Sequence, residues 1–194
     1  VRLMGEGIVL PYLDMPLQHA SPRILKLMKR PANQLATVKR IQRWREECPE
    51  LTLRSTFVVG FPGETEEEFQ ELLDFSREVM LDRVGCFAYS PVAGAVANEL
   101  PNAVPEPVRD ERRLRFMQAQ EEISAGCLSR RVGSEVDVLI DSVSATEVTG
   151  RSAGESPEFD GVVKLTNPGA LQMGDWARVR ITDSDSHYLT ARVI

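Results

Sequence analysis

Between Leu51 and Tyr89 the chain passes through strand, turn, helix and strand with almost no spare residues. Leu51, Leu53, Phe57 and Val59 lie on or near one face of the first strand, while Arg54 and Thr56 point the other way. The strand runs into Gly60-Phe61-Pro62-Gly63-Glu64. Thr65-x-x-Glu68 then forms a capping box, in which each residue satisfies a free backbone N–H of the other's turn. Phe69, Leu72, Leu73, Ser76, Val79 and Met80 follow at helical spacing, and a second strand is predicted over Val84–Tyr89. Strand, helix and strand joined this tightly require parallel strands and a right-handed crossover.

The same pattern extends upstream. Pro11 to Pro16 reads as a short strand entering the loop Leu17-Gln18-His19-Ala20. Ser21 is placed to cap a helix with Pro22 at its first position, and Pro31 stops it. A second helix is predicted after Asn33, with Leu35, Val38, Ile41, Trp44 and Cys48 as its apolar stripe. Three parallel strands do not close a barrel, so residues 1–132 are expected to form the C-terminal part of a larger α/β barrel. Ser90 to Pro107 reads as an ordered loop at the strand ends. A long, highly charged helix from about Val108 to Arg131 follows, with Leu114, Met117, Ile123 and Leu128 for packing.

Composition changes near Gly133. Residues 133–194 are rich in Val, Thr, Ser, Gly and Asp, alternate in polarity and contain no helix-length stretch. Strands are predicted near 135–141, 147–152, 161–165, 176–182 and 188–193. Five short antiparallel strands in this span point to a small all-β, OB-like barrel.

The charge of the second module bears on its partner. It carries five basic residues against ten acidic ones, a net charge of −5, out of −6 for the whole chain. A barrel that grips nucleic acid should be basic. This one repels phosphate and should attract a basic protein.

The strand ends gather the candidate site residues on one rim. An Arg inside a helix-covered strand is costly unless it faces a polar lumen or an anion, so Arg54 and Thr56 mark either a ligand-binding interior or a strand start that reaches solvent. Gly60 allows close backbone approach and Phe61 offers a ring for stacking; alone, their motif would equally be a tight turn. Gln18 and His19 end the first strand and Tyr89 and Ser90 the third, at the equivalent level. His187 reads as a surface residue. Cys48, Cys86 and Cys127 have neither metal-ligand spacing nor an even number for pairing, and read as small buried hydrophobes of a cytoplasmic protein. No serine triad, phosphate loop or dinucleotide fingerprint occurs, and no apolar run is long enough to span a membrane. The start has no signal-peptide pattern, and a first residue, Val1, other than Met suggests a piece of a longer chain.

Three segments carry a resemblance. Tyr12-Leu13-Asp14-Met15-Pro16-Leu17-Gln18-His19-Ala20-Ser21, Phe57-Val58-Val59-Gly60-Phe61-Pro62-Gly63-Glu64-Thr65 and Phe87-Ala88-Tyr89-Ser90-Pro91 resemble the fourth, fifth and sixth strand motifs of radical S-adenosylmethionine methylthiotransferases. Gly150-Arg151-Ser152 and Ser156-Pro157-Glu158-Phe159-Asp160-Gly161 resemble their C-terminal TRAM domain. Pro-Leu-Gln-His and Ser-Pro-Glu-Phe-Asp-Gly are similar to the branch that modifies an aspartate of a small-subunit ribosomal protein, and the acidic module agrees with it.

The resemblance implies S-adenosylmethionine as cofactor and two 4Fe–4S clusters in the whole enzyme. A 5′-deoxyadenosyl radical would remove a hydrogen from the aspartate β-carbon, and the second cluster would help deliver the methylthio group. It implies Gln18, Arg54, Thr56, Gly60, Phe61, Ala88, Tyr89 and Ser90 at the cofactor, and His19, Arg151, Glu158 and Asp160 at the substrate. The family's C-x-x-x-C-x-x-C motif is absent, so this chain alone is expected to ligate no cluster, to be inactive, and to need the N-terminal and cluster-binding domains. Val92-Ala93-Gly94-Ala95, where the family often has Glu and Thr, and the sequence after His187, which lacks a frequent Trp, depart from the pattern.

Two rivals make different demands. A transfer-RNA methylthiotransferase would bind transfer RNA in a strongly salt-dependent way. A non-catalytic binding module would need its half-barrel to be stable with an open sheet edge.

Overall fold

The computed structural model describes all residues 1–194 and contains two packed modules. In the first, β1 (Tyr12–Asp14), β2 (Thr52–Val59) and β3 (Arg83–Ala88) form a parallel sheet in the order β1-β2-β3. A one-turn helix, α1 (Arg2–Gly5), precedes it and was not evident in the sequence.

The helices begin where local chemistry starts them. Ser21 caps α2 (Pro22–Leu27) by accepting from the Ile24 N–H, and Asn33 caps α3 (Gln34–Glu47) by accepting from the Ala36 N–H. The Thr65/Glu68 capping box opens α4 (Glu66–Val79). Its first turn carries Glu66, Glu67 and Glu68, which favour the positive end of the helix dipole. After a short 3-10 turn at Val96–Glu99, α5 (Glu106–Ser129) crosses from one module to the other.

Strand β2 alternates strictly between half-buried and buried positions. Leu53, Ser55, Phe57 and Val59 face the helices, where Phe57 meets Phe116 at 5.4 Å and Phe75 edge-on at 6.4 Å between ring centroids. The other face presents Arg54, Thr56 and Val58, and the register adds Asp14, Gly85 and Phe87 from the neighbouring strands. Arg54 and Thr56 thus lie on the face opposite these helices, the lumen side of the barrel segment.

The second module is a closed barrel, with strand order β4-β5-β6-β8-β7. Its strands are β4 (Glu135–Val143), β5 (Val148–Arg151), β6 (Val163–Thr166), β7 (Trp176–Ser184) and β8 (Leu189–Val193). The expectation of an all-antiparallel barrel fails at one seam: β6 and β8 pair in parallel. The chain must cross the barrel end between them, a connection that alternation of polarity does not encode. Leu128, from the end of α5, enters the barrel core with Val138, Ile140, Val179 and Leu189. Two helix readings also need correction, since Leu35 is 66% and Leu114 55% exposed. On α5 Ile123 and Leu128 are buried as expected, and Phe116, Ala119 and Cys127 join them with polar Arg112, Gln120 and Ser124.

The modules are joined by a polar seam. The Tyr12 hydroxyl donates to Asp160 at 2.6 Å, and Asp160 also accepts from the Ser156 N–H at 2.8 Å. Glu155 accepts from Arg131 at 2.8 Å and lies 3.5 Å from Arg83, while Ser124 donates to the Ser186 carbonyl at 2.7 Å.

Candidate functional site

The C-terminal ends of the three parallel strands make one rim. Beyond β1 the backbone extends the sheet at Gln18, whose N–H donates to the Thr56 carbonyl and whose carbonyl accepts from Val58, both at 2.9 Å. Gln18 does this with φ of 70°, a left-handed conformation unusual for a side chain other than Gly, which turns the chain sharply off the strand. Gly60 ends β2 with the same φ, and a Cβ there would strike the Arg109 side chain. Glycine is therefore required on two counts.

Beneath the rim lies a buried charge network that the sequence reading missed. Glu64 has no exposed side-chain surface. It accepts from Arg112 Nη1 at 2.7 Å on one oxygen, and from the Gly60 N–H at 2.9 Å and His19 Nε2 at 3.2 Å on the other. The Ser21 N–H donates to His19 Nδ1 at 2.9 Å, so that nitrogen carries no proton and the neutral ring donates through Nε2. One carboxylate thus ties together the turns after β1 and β2 and helix α5. The available signals were an acid closing a tight turn and an Arg on the buried side of a helix.

These positions revise the expected contacts. His19, expected at the substrate, is closed inside the fold with no exposed side-chain surface and serves the Glu64 network. Phe61, expected to stack on a ligand, is buried and packs edge-on against Tyr89 at 5.3 Å. The Tyr89 hydroxyl donates to Asn98 at 2.7 Å, and its carbonyl accepts from Arg109, so Tyr89 anchors the following loop. Ala88 is half-buried and Ser90 exposed on that rim.

On the lumen face Arg54 binds Asp14 at 2.5 Å, lies 3.9 Å from Asp160, and sits 5.5 Å from the Phe159 ring centroid. Thr56 pairs in register with Gly85, which leaves a dip in the wall: a Cβ at Gly85 would meet only the Phe87 ring, at 3.7 Å. Phe87 is 61% exposed beside it. The face therefore grades from charged near the strand starts to apolar near the rim.

The four residues expected at the substrate do not form one site. Arg151 grips Asp141 at 2.6 and 2.8 Å within the barrel, and Asp160 is enclosed in the seam with Tyr12. Of the four, only Glu158 is exposed. Tyr12 instead emerges as a perturbed group: burial, then the Asp160 hydrogen bond and charge, push its phenol well above the usual tyrosine range.

The three thiols are buried and free. Cys86 is pushed up to about 12, chiefly by burial and then by the charge of Glu64. No group of three or more His, Cys, Asp or Glu side chains converges in a way that could hold a metal ion. No helix is long and apolar enough to cross a membrane.

Comparison with known proteins fits this architecture. Residues 1–76 match the model of the radical SAM superfamily, and residues 132–194 match that of the TRAM domain. A curated relative from Aeromonas hydrophila, named ribosomal protein uS12 methylthiotransferase RimO, is 60% identical over the whole chain, which covers 44% of the relative. The Bordetella pertussis protein of that name is 61% identical over 189 residues, 97% of this chain and 43% of the relative. The chain thus spans less than half the length of the relatives it matches. Among solved structures, coproporphyrinogen III oxidase (HemN) from Escherichia coli, described as a radical SAM enzyme, aligns with a TM-score of 0.52. Its identity is 18%, covering 64% of this chain and 30% of that one. The two matched models and this neighbour fit the observed architecture, a parallel α/β barrel segment followed by a small closed barrel.

Proposed function

We propose that this chain, homologous along its length to uS12 methylthiotransferases, is the C-terminal part of a cytoplasmic radical S-adenosylmethionine enzyme that methylthiolates a small-subunit ribosomal protein. The observation that carries this reading is the match of about 60% identity running unbroken through both modules and their seam.

The fit of the two implied cofactors differs. The iron–sulfur clusters do not fit this chain's donors. Its three thiols are buried, and no group of three or more His, Cys, Asp or Glu side chains converges on one point to hold a cluster. S-adenosylmethionine fits better, because the hollow at Gly85, the Thr56 hydroxyl and the exposed Phe87 ring offer room, a polar contact and an apolar face. Its chemistry, when bound, is radical hydrogen abstraction. The part proposed for Thr56, Gln18, Ala88, Tyr89 and Ser90 is to bind and orient it, with Gly60 and Phe61 shaping the rim from behind. Arg54 is proposed to set the charged end of the lumen.

The expected basic partner gains a narrower footing. Within the barrel module Glu135, Asp137, Asp141 and Glu147 pair with its own cations, and Glu155 and Asp160 face arginines of the first module. Glu158, Asp175, Asp183 and Asp185 have no ion-pair partner, so they are the acids free to meet a basic protein.

The test of the lumen assignment uses a hybrid in which this chain replaces the matching part of the Aeromonas hydrophila relative. Thr56→Val and Gly85→Leu should weaken S-adenosylmethionine binding, measured by equilibrium dialysis, by about tenfold or more. Unchanged binding in both variants would remove the lumen face from the cofactor site.

A further inference from the structure

A cleft of about 400 Å³ opens between the start of β3, one side of α5 and the barrel loop that ends at Gly161. β3 is an edge strand, and Val84 and Gly85 lie along the cleft. The outward backbone groups of such a strand have no strand partner and can template another chain. Leu114 and Phe159 line the cleft although they are 55% and 74% exposed. Gln120 lines it too: it is buried, its Nε2 donates to the Leu81 carbonyl at 3.0 Å, and its Oε1 has no partner. A buried acceptor without a donor is a rare feature that a ligand N–H would complete.

Charge decides what kind of ligand. The two guanidinium groups on the floor are already compensated, Arg54 by Asp14 and Asp160, and Arg83 by Glu155. Three acids, Asp82, Glu121 and Asp160, line the cleft against these two arginines. Glu121 lines it with 57% of its side chain exposed, and Glu158 and Asp185 stand close in sequence to Phe159 and His187, without ion-pair partners. Besides Arg54 and Arg83, the lining residue that could carry positive charge is His187, 3.8 Å from Glu121, and Arg113 stands exposed beside Leu114.

We propose that this cleft binds an extended, basic segment of a protein, laid along the edge of β3 at Val84 and Gly85. Apolar side chains of the segment pack on Leu114 and Phe159, a donor reaches Gln120, and Lys or Arg side chains meet Glu121 at the mouth. Strand addition supplies the affinity through the main chain, and alternate side chains supply the selectivity. In taking the natural partner to be a basic ribosomal protein the inference rests on the function proposed above. The shape and charge of the cleft do not.

The test needs no chemistry. A short fluorescein-labelled peptide of alternating Lys and Val is titrated with the 194-residue chain and followed by fluorescence anisotropy. Saturable binding is expected. It should weaken by about tenfold in the double variant Glu121→Lys, Phe159→Ala, whose two sites are exposed so that the fold persists by circular dichroism. N-methylation of alternate peptide bonds should abolish it, and a Glu/Val peptide should not compete. No binding, equal binding by the double variant, retention after N-methylation, or displacement by oligouridylate in preference to the Lys/Val peptide would each overturn the proposal. Should the peptide bind while the hybrid enzyme leaves uS12 unmodified, the functional reading fails and the cleft assignment stands.

Discussion

Removing the charge of Glu64 should be among the most damaging single changes in the first module. Glu64→Gln keeps the size and one acceptor oxygen, but leaves the Arg112 guanidinium, only 6% exposed, without the negative charge it meets at 2.7 Å. The remaining carboxylate near Arg112 is Glu66, at 3.2 Å and half exposed, which cannot replace a buried ion pair. Breaking one side of such a pair costs about 3–5 kcal/mol. For a chain of this size each kcal/mol moves the melting temperature by about 2–4 °C, so a fall of roughly 10 °C is expected. Urea unfolding monitored by Trp fluorescence would measure the free energy directly. The variant Glu64→Gln, Arg112→Met removes both charges and should recover part of the loss, because the uncompensated guanidinium is then gone. A loss below about 1 kcal/mol for Glu64→Gln, or a double variant less stable than the single by the full cost of Arg112→Met, would refute the network as a source of stability.

Three further outcomes follow from perturbed groups. In a spectrophotometric titration, Tyr12 should resist ionisation across the ordinary tyrosine range. Its raised pKa means the stability from the Tyr12–Asp160 contact is present below about pH 10 and lost as pH rises further, a dependence that Tyr12→Phe should erase. Burial pushes Glu68 up, but hydrogen bonds from Arg23, Thr65 and Ser21 outweigh it and hold the carboxyl at about 2. That stability is present above the ordinary Glu range and is lost as pH falls from about 4.3 toward 2, so Glu68→Gln should flatten the acid limb of a stability–pH curve. Because Cys48, Cys86 and Cys127 are buried, a thiol reagent at pH 8 should label none of them in the folded chain and all three in urea.

Much of the fold was legible because its signals are local. Ser21, Asn33 and the Thr65/Glu68 box cap the helices they were expected to start, and the alternation around Phe57 sets the two faces of β2. What the sequence hid depends on partners distant in the chain. The parallel seam between β6 and β8 is a matter of connection rather than pattern. Leu35 and Leu114 sit at helical spacing yet face outward, because a stripe does not say how wide the neighbouring surface is. The rim was located by strand ends, but the inward roles of His19 and Phe61 were not, since a loop His or a turn Phe looks the same whether it meets a ligand or Glu64. Asp160 was singled out from a motif; its partner Tyr12, at a sequence separation of 148, could not be.

The proposed function has this chain supply the C-terminal part of a uS12-modifying radical enzyme. The hybrid carrying it behind the cluster-binding portion of the Aeromonas hydrophila relative, reconstituted with iron and sulfide under anaerobic conditions, is incubated with uS12, S-adenosylmethionine and a reductant. Mass spectrometry of uS12 should reveal one methylthio group on an aspartate. An unmodified uS12, with the parent relative active in the same assay and the hybrid folded and cluster-loaded, would contradict the account.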